Sequence, residues 1–336
     1  MQEIIIKKNE AGQRFDKYLC KYFKEATTSF IYKMLRKKNI ELNSKKATGI
    51  EKLVEGDSIK IFMADETIEK FKGQAKSVPT KSNINTKVIR ENIIYEDENI
   101  LIVNKPVGVL SQKAKPTDIS INEMFIEYLL EDKKISYSEL ETFTPSVCNR
   151  LDRNTSGLIT FGKTLIGVQE LSNGFKLRTF DKYYLAAVWG EVTEGCHIDG
   201  YLSKDAKTNK VTIKKIANDD SSYIQTAYEP VKTAYISINN KKFPITLLKI
   251  KLITGKTHQI RAHLASINHG LLGDDKYGNP KLNIDLKKQY KINYQMLHSY
   301  QLCFKDTTSL QALNNLNNMI IDAPITKELN TLFNLK

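Results

Sequence analysis

The most informative stretch of the chain reads Asn149-Arg150-Leu151-Asp152-Arg153-Asn154-Thr155-Ser156-Gly157-Leu158. It is a polar loop that ends in a glycine, and the apolar run 158–161 that follows predicts a buried strand. Functional side chains concentrate in loops at the mouth of a sheet, and the arginines beside Asp152 favour its ionised form. The same string also fits an ordinary surface cluster of salt bridges, and both interpretations stay open at this point.

Around this loop, short strand-like segments outnumber long amphipathic helices. Two strands around an acidic turn are predicted at 93–106, where a proline ends the second strand. Further strands are predicted at 157–161, 183–188, 234–238, 243–253 and 301–304, and helices near 120–130, 164–174 and 257–267. This pattern predicts an α+β fold with a mixed, mainly antiparallel sheet.

A second candidate segment runs from Asp181 to Gly190. It predicts a strand that opens with two aromatic residues, Tyr183 and Tyr184. Aromatic rings on a strand commonly pack in a core or at a sheet edge, so packing is the ordinary interpretation of this pair.

A third candidate segment, 252–264, predicts a strand that ends at Thr254-Gly255 and a helix that begins near Thr257. His258 and His263 are five residues apart with no glutamate between them, which does not match a zinc site at helical spacing. A capping or phosphate-facing role is expected for His258 instead, and a structural histidine is the alternative.

Residues 1–65 are predicted to form a small unit of their own. Apolar residues recur at helical spacing over 15–23, and a second helix follows a cap at Thr27-Thr28-Ser29. Its apolar positions share one face, and three basic residues lie off that face: Lys33, Arg36 and Lys37. Such a basic helix face suits contact with phosphates, whereas a solvated surface is the alternative.

The length of 336 residues favours two domains. Two short strands at 40–42 and 57–62 complete the first unit. Residues 66–90 are polar and without periodicity, so they predict a linker. Residues 91–336 then form the second, α+β domain.

The charge of the chain is basic and unevenly placed. The net charge is +13, and residues 1–90 hold 20 lysines and arginines against 11 acidic residues. This surplus favours a polyanionic partner, nucleic acid first, although a lysine-rich composition alone would also produce it. No apolar run is long enough for a membrane span and the N-terminus does not match a signal peptide, so a cytoplasmic protein is expected.

The cysteines give no sign of metal or disulfide chemistry. Cys20, Cys148, Cys196 and Cys303 are far apart, without Cys-x-x-Cys pairing. They are expected to be reduced, partly buried thiols.

The N-terminal unit resembles a known RNA-binding module, the S-four-like module first described in a small-subunit ribosomal protein. The resemblance rests on Arg14-Phe15-Asp16-Lys17-Tyr18-Leu19, the basic helix, Leu42-Asn43-Ser44-Lys45 and Gly56-Asp57. It implies that Lys33, Arg36 and Lys37 face an RNA backbone.

The second domain resembles the RluA-type family of pseudouridine synthases. The matching strings are Arg150-Leu151-Asp152-Arg153 with Thr155-Ser156-Gly157, Lys182-Tyr183-Tyr184-Leu185-Ala186, Thr254 to Arg261 with His263-Leu264-Ala265, Asn104 to Gly108, and Asn268 to Asp274 with Tyr277-Gly278. Their order and spacing also agree, over about residues 93–304.

The resemblance assigns roles residue by residue. Asp152 is similar to the family's catalytic nucleophile, Arg261 to its arginine partner, and Tyr184 to the tyrosine that packs on the target base. RNA contacts are implied for Arg150, where the base has left the stack, and for Arg153, Lys256 and His258. Ile253 or Leu297 could form the apolar wall opposite the tyrosine.

Two positions depart from the family pattern. Asn149 stands where the family usually has histidine, and Lys256 stands where it usually has arginine, which puts target choice and loop geometry in doubt more than chemistry. The Asn- and Leu-rich stretch 306–322 is also atypical.

The resemblance implies an enzyme that isomerises uridine in structured RNA, with large-subunit ribosomal RNA as the expected substrate and transfer RNA as the alternative, and with no cofactor, metal or membrane. We expect a monomer. Attack by Asp152 on the ribose or on the base stays open. A non-catalytic RNA-binding or ribosome-assembly factor is the main alternative, while a DNA-binding protein lacks a convincing recognition helix.

Overall fold

The computed structural model describes residues 1–73, 84–205 and 210–335. Within these ranges the strands form two separate sheets, one of four strands and one of eleven. Each sheet has its own buried apolar cluster.

The N-terminal unit, defined here as residues 1–72, contains β1 (Gln2–Ile5), α1 (Phe15–Tyr22), α2 (Thr28–Arg36), β2 (Ile40–Leu42), β3 (Lys45–Lys46), β4 (Ser58–Ile61) and α3 (Asp65–Lys72). Its sheet has the order β1-β4-β2-β3. Phe15 and Ile31 are completely buried, and the side chain of Thr27 caps α2, as the spacing predicts. The side chains of Lys33, Arg36 and Lys37 are exposed on α2.

The predicted linker at 66–90 begins too early, because α3 lies inside it. Ile68 is buried in the N-terminal unit, and the Phe71 ring lies 4.3 Å from the Phe30 ring. Only these two apolar residues of α3 face the core, so the segment looks like polar linker in the sequence. The middle of the predicted linker, including 77–82, lies outside the described residues, and α4 (Lys87–Arg90) follows it.

The remaining elements are β5 (Ile93–Glu96), β6 (Ile100–Lys105), α5 (Ile121–Glu131), β7 (Ser146–Val147), β8 (Ser156–Gly162), α6 (Leu165–Leu177), β9 (Phe180–Trp189), β10 (Cys196–Lys204), β11 (Val211–Lys214), β12 (Ser222–Ile238), β13 (Lys241–Leu252), α7 (Gln259–Ser266), α8 (Pro280–Tyr290), β14 (Leu297–Phe304), β15 (Ile320–Asp322) and α9 (Lys327–Phe333). The strands and helices predicted within 93–304 are all among them.

The large sheet has the order β11-β10-β12-β13-β9-β14-β8-β6-β5, with β15 paired to β14 and β7 to β8. The prediction of a mixed, mainly antiparallel sheet is confirmed: β14 and β8 run parallel, and the other described pairs are antiparallel. Gly157 makes the parallel contact possible. A Cβ atom there would lie 2.1 Å from the carbonyl oxygen of Ser299, and the glycine has a φ of +107°.

Helices cover both faces of the sheet, and β9 shows this division. Tyr184 and Ala186 pack in the core cluster that includes residues of α5 and α7. Leu185 and Ala187 point the other way, into the cluster that includes residues of α8 and α9. Alternate side chains of a strand face opposite sides of its sheet, so this one strand contributes side chains to two cores.

Several elements escaped sequence analysis. The helix α8 has an Asn279 cap and a proline in its first turn, but its apolar face is too short to recognise. The atypical stretch 306–322 buries Leu313 and Leu316 against the core and ends in β15. The prediction of partly buried thiols is wrong for Cys196, which is exposed at the start of β10.

Polar contacts join the N-terminal unit to the large sheet. Thr142 Oγ1 donates a hydrogen bond to Glu10 Oε1 at 2.5 Å, and both residues are buried. Lys8 Nζ forms an ion pair with Glu98 at 3.2 Å. Across the described ranges, no helix is both long and apolar enough to cross a membrane.

Candidate active site

An open cleft of about 860 Å³ brings the three candidate segments together. Asp152 reaches it from the loop before β8, Tyr184 from β9, and Arg261 from α7. The loop 110–114 and Leu297 complete the walls. Chain segments that lie more than 100 residues apart in sequence therefore form one site.

The cleft is strongly positive. Among the described residues, its lining has one carboxylate, Asp152, and ten cationic side chains: Lys113, Arg150, Arg153, Lys176, Arg178, Lys182, Lys204, Lys256, Arg261 and Lys276. Such a surface attracts a polyanion while keeping a single acidic group for chemistry.

Arg261 organises the acidic centre of the cleft. Its Nη1 donates to Asp152 Oδ2 at 3.0 Å, and its Nε and Nη2 donate to both oxygens of Asp274 at 2.7 and 2.8 Å. Nη2 also reaches Asp275 at 3.2 Å. Asp274 is completely buried, so it takes the bidentate side of the guanidinium and directs Nη1 toward Asp152.

The buried Arg261 and Asp274 stabilise each other in their charged forms. Burial alone would lower the pKa of Arg261, but the hydrogen bonds and charge of Asp274 outweigh it, and Asp152 adds to them, so the pKa rises. Burial would raise the pKa of Asp274, and Arg261 holds it below its usual value instead. Asp152 keeps its Oδ1 free of hydrogen bonds from the described residues, so that oxygen is available for chemistry.

Backbone contacts fix the loop that carries Asp152. Ser111 Oγ accepts from Leu151 N at 3.0 Å and donates to Leu151 O at 2.8 Å. Lys105, which is completely buried, donates from Nζ to the carbonyl oxygens of Pro106, Val109 and Arg153 at 2.9–3.2 Å. Burial lowers the pKa of Lys105 to about 7, although the negative charge of Asp152 acts to raise it. The loop is thus held on both sides of the carboxylate.

Asn149 has a clear structural role in place of the family's usual histidine. Its Oδ1 accepts from Thr160 N at 2.7 Å and from Thr160 Oγ1 at 3.0 Å. Its Nδ2 donates to Leu158 O at 3.3 Å. These bonds attach the start of the loop to β8.

Tyr184 forms part of the floor of the cleft, with Leu297 and Ile253 nearby in the lining. Tyr184 and Leu297 are buried, and Ile253 is half-buried. Burial raises the pKa of Tyr184 to about 12, with a hydrogen bond to Ser299 opposing the shift and the charge of Asp152 adding to it. The hydroxyl is therefore neutral at physiological pH.

Two sequence interpretations need correction. His258 does not cap α7: its backbone is left-handed, with φ of +54°, and its side chain makes no capping bond. Its Nδ1 instead pairs with the Tyr277 hydroxyl at 3.0 Å, and its Nε2 lies 3.8 Å from Asp152 Oδ2. Nor do the arginines beside Asp152 form a salt-bridge cluster, because the partner of Asp152 is Arg261.

The predicted RNA-facing residues Arg150, Arg153 and Lys256 are exposed at the rim of the cleft. Arg153 donates from Nε to Gly108 O at 3.0 Å. None of the three pairs with a carboxylate in the described part of the chain. In that same part, no group of three or more His, Cys, Asp or Glu residues is arranged to hold a metal ion.

Three residues that shape the site were not singled out from the sequence: Asp274, Lys105 and Ser111. Asp274 and Lys105 lie within strings that resemble the family, so those strings were the available signal. Ser111 offered none.

Comparison with known proteins agrees with this geometry. The family model described as RNA pseudouridylate synthase matches residues 99–266. An uncharacterised RNA pseudouridine synthase of Mycoplasma capricolum is 31% identical, over 96% of this chain and 97% of the relative. A ribosomal large subunit pseudouridine synthase C of Rickettsia bellii is also 31% identical, over 83% of this chain and 87% of the relative.

A solved structure has the same fold. Human RNA pseudouridylate synthase domain containing 4 superposes with a TM-score of 0.56 at 17% identity, covering 75% of this chain and 96% of that chain. The chain therefore belongs to the RNA pseudouridine synthases, which are RNA-modifying isomerases. Within that family it is of the RluA type, as the motifs in the cleft indicate.

Proposed function

We propose that the chain isomerises specific uridines of large-subunit ribosomal RNA, with Asp152 as the nucleophile. The observation that carries this proposal is the position of Asp152. Among the residues that the structure describes, it is the one carboxylate in a cleft with ten cationic side chains, and Arg261 binds one of its oxygens while the other stays open. A nucleophilic carboxylate needs this combination of fixed orientation and a free oxygen.

The reaction rearranges bonds without an external reagent. The glycosidic bond between the ribose and N1 of uracil breaks, the base rotates, and C5 bonds to the same ribose carbon. N1 ends with a proton and C5 gives one up, so no electrons enter and no group is lost. Asp152 supplies the nucleophile, and the hydrogen bond from Arg261 Nη1 orients its carboxylate.

The uridine must leave its stack to reach Asp152, at a cost of a few kcal/mol. Stacking of the flipped base on Tyr184 would return roughly 1–3 kcal/mol. Leu297 or Ile253 forms the apolar wall against the other face of the base, and Arg150 fills the vacated space in the RNA. Arg153, Lys256 and His258 contact the RNA around it.

The N-terminal unit supplies affinity for a large folded RNA. We assign it the role of an S-four-like module, because α2 presents Lys33, Arg36 and Lys37 on an exposed face outside the core. The unit extends through α3 to Lys72. The choice of ribosomal RNA is supported by the names of relatives such as the Rickettsia bellii enzyme.

Release of tritium from RNA labelled at C5 of uridine tests the chemistry. The wild-type protein should release tritium from ribosomal RNA, and Asp152→Asn should lose at least about 10⁴-fold in rate, because an amide cannot replace the nucleophile. The control Asp219→Asn changes an exposed carboxylate outside the cleft and should match wild type. Wild-type rates in Asp152→Asn would rule out this nucleophile.

Mapping pseudouridines in cells with and without the gene tests the substrate. Loss of sites in large-subunit ribosomal RNA is expected. Loss confined to transfer RNA would replace the proposed substrate and keep the chemistry.

A further inference from the structure

Lys182 is a cation of the cleft that has no anionic partner among the described residues. It lies two residues before Tyr184 on β9, so both side chains face the cleft side of the sheet. Its Nζ lies 5.5 Å from the centre of the Phe175 ring. It makes no hydrogen bond and no ion pair within the described ranges, although the residue is half-buried.

Two other shielded lysines of this sheet, Lys251 and Lys105, are paired within the protein. Asp181, the preceding residue, binds both Lys251 and Lys305 on the opposite face of β9. The ammonium of Lys105 has three carbonyl partners. A desolvated ammonium is unfavourable unless something compensates it, so an unpaired one in a binding cleft points to a ligand anion.

Two further cations lie near Lys182 in the cleft. Arg178, at the end of α6, and Lys256, in the loop before α7, line the same part of the cleft, and neither pairs with a carboxylate of the described chain. Burial and the charge of Arg178 both lower the pKa of Lys182. A Cβ atom on Gly255 would lie 3.3 Å from its Nζ, so that loop also closes over the ammonium.

We propose that Lys182, with Arg178 and Lys256, forms a subsite for a phosphodiester group of the RNA strand that carries the target uridine. This inference rests on the proposed function and deepens it. A phosphate would supply the missing anion, and the spacing along β9 would tie the backbone of the strand to the base that lies on Tyr184. Lys182 then acts in binding and does not touch the reacting atoms.

Steady-state kinetics of the full-length protein on an RNA hairpin separate binding from chemistry. Lys182→Met should raise KM about tenfold, the effect of one lost charge-assisted hydrogen bond, with kcat unchanged. The salt slope of log affinity should fall by about 0.7–0.9. The matched control, Lys249→Met, removes a lysine that lies over Tyr183 on the other face and should match wild type. A fall in kcat at constant KM would overturn the subsite.

Thermal unfolding checks for a purely structural role. Removal of an unpaired, desolvated ammonium should leave the melting temperature of Lys182→Met unchanged or higher. A clear loss of stability would mean that the protein itself satisfies Lys182, and the proposal would be wrong.

Single methylphosphonate substitutions in the hairpin locate the phosphate. One substitution should weaken binding by wild type and have no further effect on Lys182→Met; equal effects on both proteins at all positions would contradict the subsite. Equilibrium binding makes this test independent of turnover. A failure to release tritium by wild type would count against the proposed function, and a missing phosphate effect would count against the subsite alone.

Discussion

Two groups of cations share one cleft but are held in different ways. Arg261 contacts three carboxylates, and the most buried of them, Asp274, takes two of its donor atoms. Lys182, Arg178 and Lys256 contact no carboxylate within the described chain. A cation that the protein neutralises is fixed in place and orients Asp152. A cation that the protein leaves open is available to the substrate.

The difference has an energetic basis. A buried ion pair is tolerated when its hydrogen bonds are complete, and removal of one partner is strongly destabilising, by about 3–5 kcal/mol. Arg261 and Asp274 meet that condition. Of the three open cations, Arg178 and Lys256 are exposed to solvent, so only the half-buried Lys182 carries an uncompensated cost of burial in the free protein.

Among changes to the cations of the cleft, the largest effect is expected from Arg261→Lys, which breaks the pairing with Asp274 and Asp152. A lysine cannot bind Asp274 through two nitrogens and still reach Asp152. The turnover rate should fall by about 10²-fold through misplacement of the carboxylate. Arg90→Lys, which changes an arginine paired with Glu131 and Asp132 outside the cleft, is the control and should keep full activity. Full activity in Arg261→Lys would show that paired geometry is not needed.

Acid should destabilise the protein through two buried histidines near the cleft. Burial lowers the pKa of both His263 and His298 to about 4. His263 lies on the same helix as Arg261, and His298 shares a hydrogen bond of 2.8 Å with Ser156. Because the unfolded chain binds these protons at a pKa near 6.5, the free energy of unfolding should fall as the pH drops from about 6.5 to 4, by up to about 3 kcal/mol per histidine.

Urea unfolding over this pH range measures the effect. His298→Asn should show a smaller pH dependence than wild type, by the share of one buried histidine, and the exposed His197→Asn should show the full wild-type dependence. Equal pH dependence in wild type and His298→Asn would disprove the role of His298.

Tyr184 lies where the two groups meet, two residues from Lys182 on β9. Tyr184→Phe keeps the ring and should bind RNA normally, whereas Tyr184→Leu fills the core without an aromatic face. The Leu variant should bind RNA more weakly by about 1–3 kcal/mol, measured by titration with a labelled hairpin. Equal RNA affinities of the Phe and Leu variants would contradict the stacking role of Tyr184.

The smallest effect per residue on RNA affinity is expected in the N-terminal unit. Its exposed cations are further positive side chains available to RNA outside the cleft. Replacement of Lys33, Arg36 and Lys37 by glutamine should reduce the slope of log affinity against log salt by about 2–3, at unchanged turnover of a saturating short hairpin. The control replaces three exposed lysines of α8: Lys281, Lys287 and Lys288. An unchanged slope in the first variant would show that α2 does not contact RNA.

The sequence predicted the large sheet well because its strands are local apolar patterns. It also brought Asp152, Tyr184 and Arg261 into one hypothesis through motif resemblance, and the structure places all three in one cleft. Helix α3 was missed because two apolar residues in a polar stretch do not produce a visible period.

The supports of the site could not be read from spacing. Asp274 binds Arg261 from a turn, in which Asp274 Oδ1 also accepts hydrogen bonds from Lys276 N and Tyr277 N. No periodic sequence pattern predicts that turn. Lys105 ends a strand and would ordinarily be expected in solvent, yet it is completely buried among carbonyl oxygens. Long-range packing, rather than local propensity, determines both positions.

The most direct measurement compares Asp274→Asn with Lys182→Met in single-turnover reactions over a range of RNA concentrations. The assignment of the two groups predicts that Asp274→Asn lowers the maximal rate by about 10²-fold at unchanged half-saturation, through misplacement of Arg261. Lys182→Met should raise half-saturation about tenfold at unchanged maximal rate. If both variants changed the same parameter, or if the two effects were exchanged, the distinction between orienting and binding cations would be contradicted.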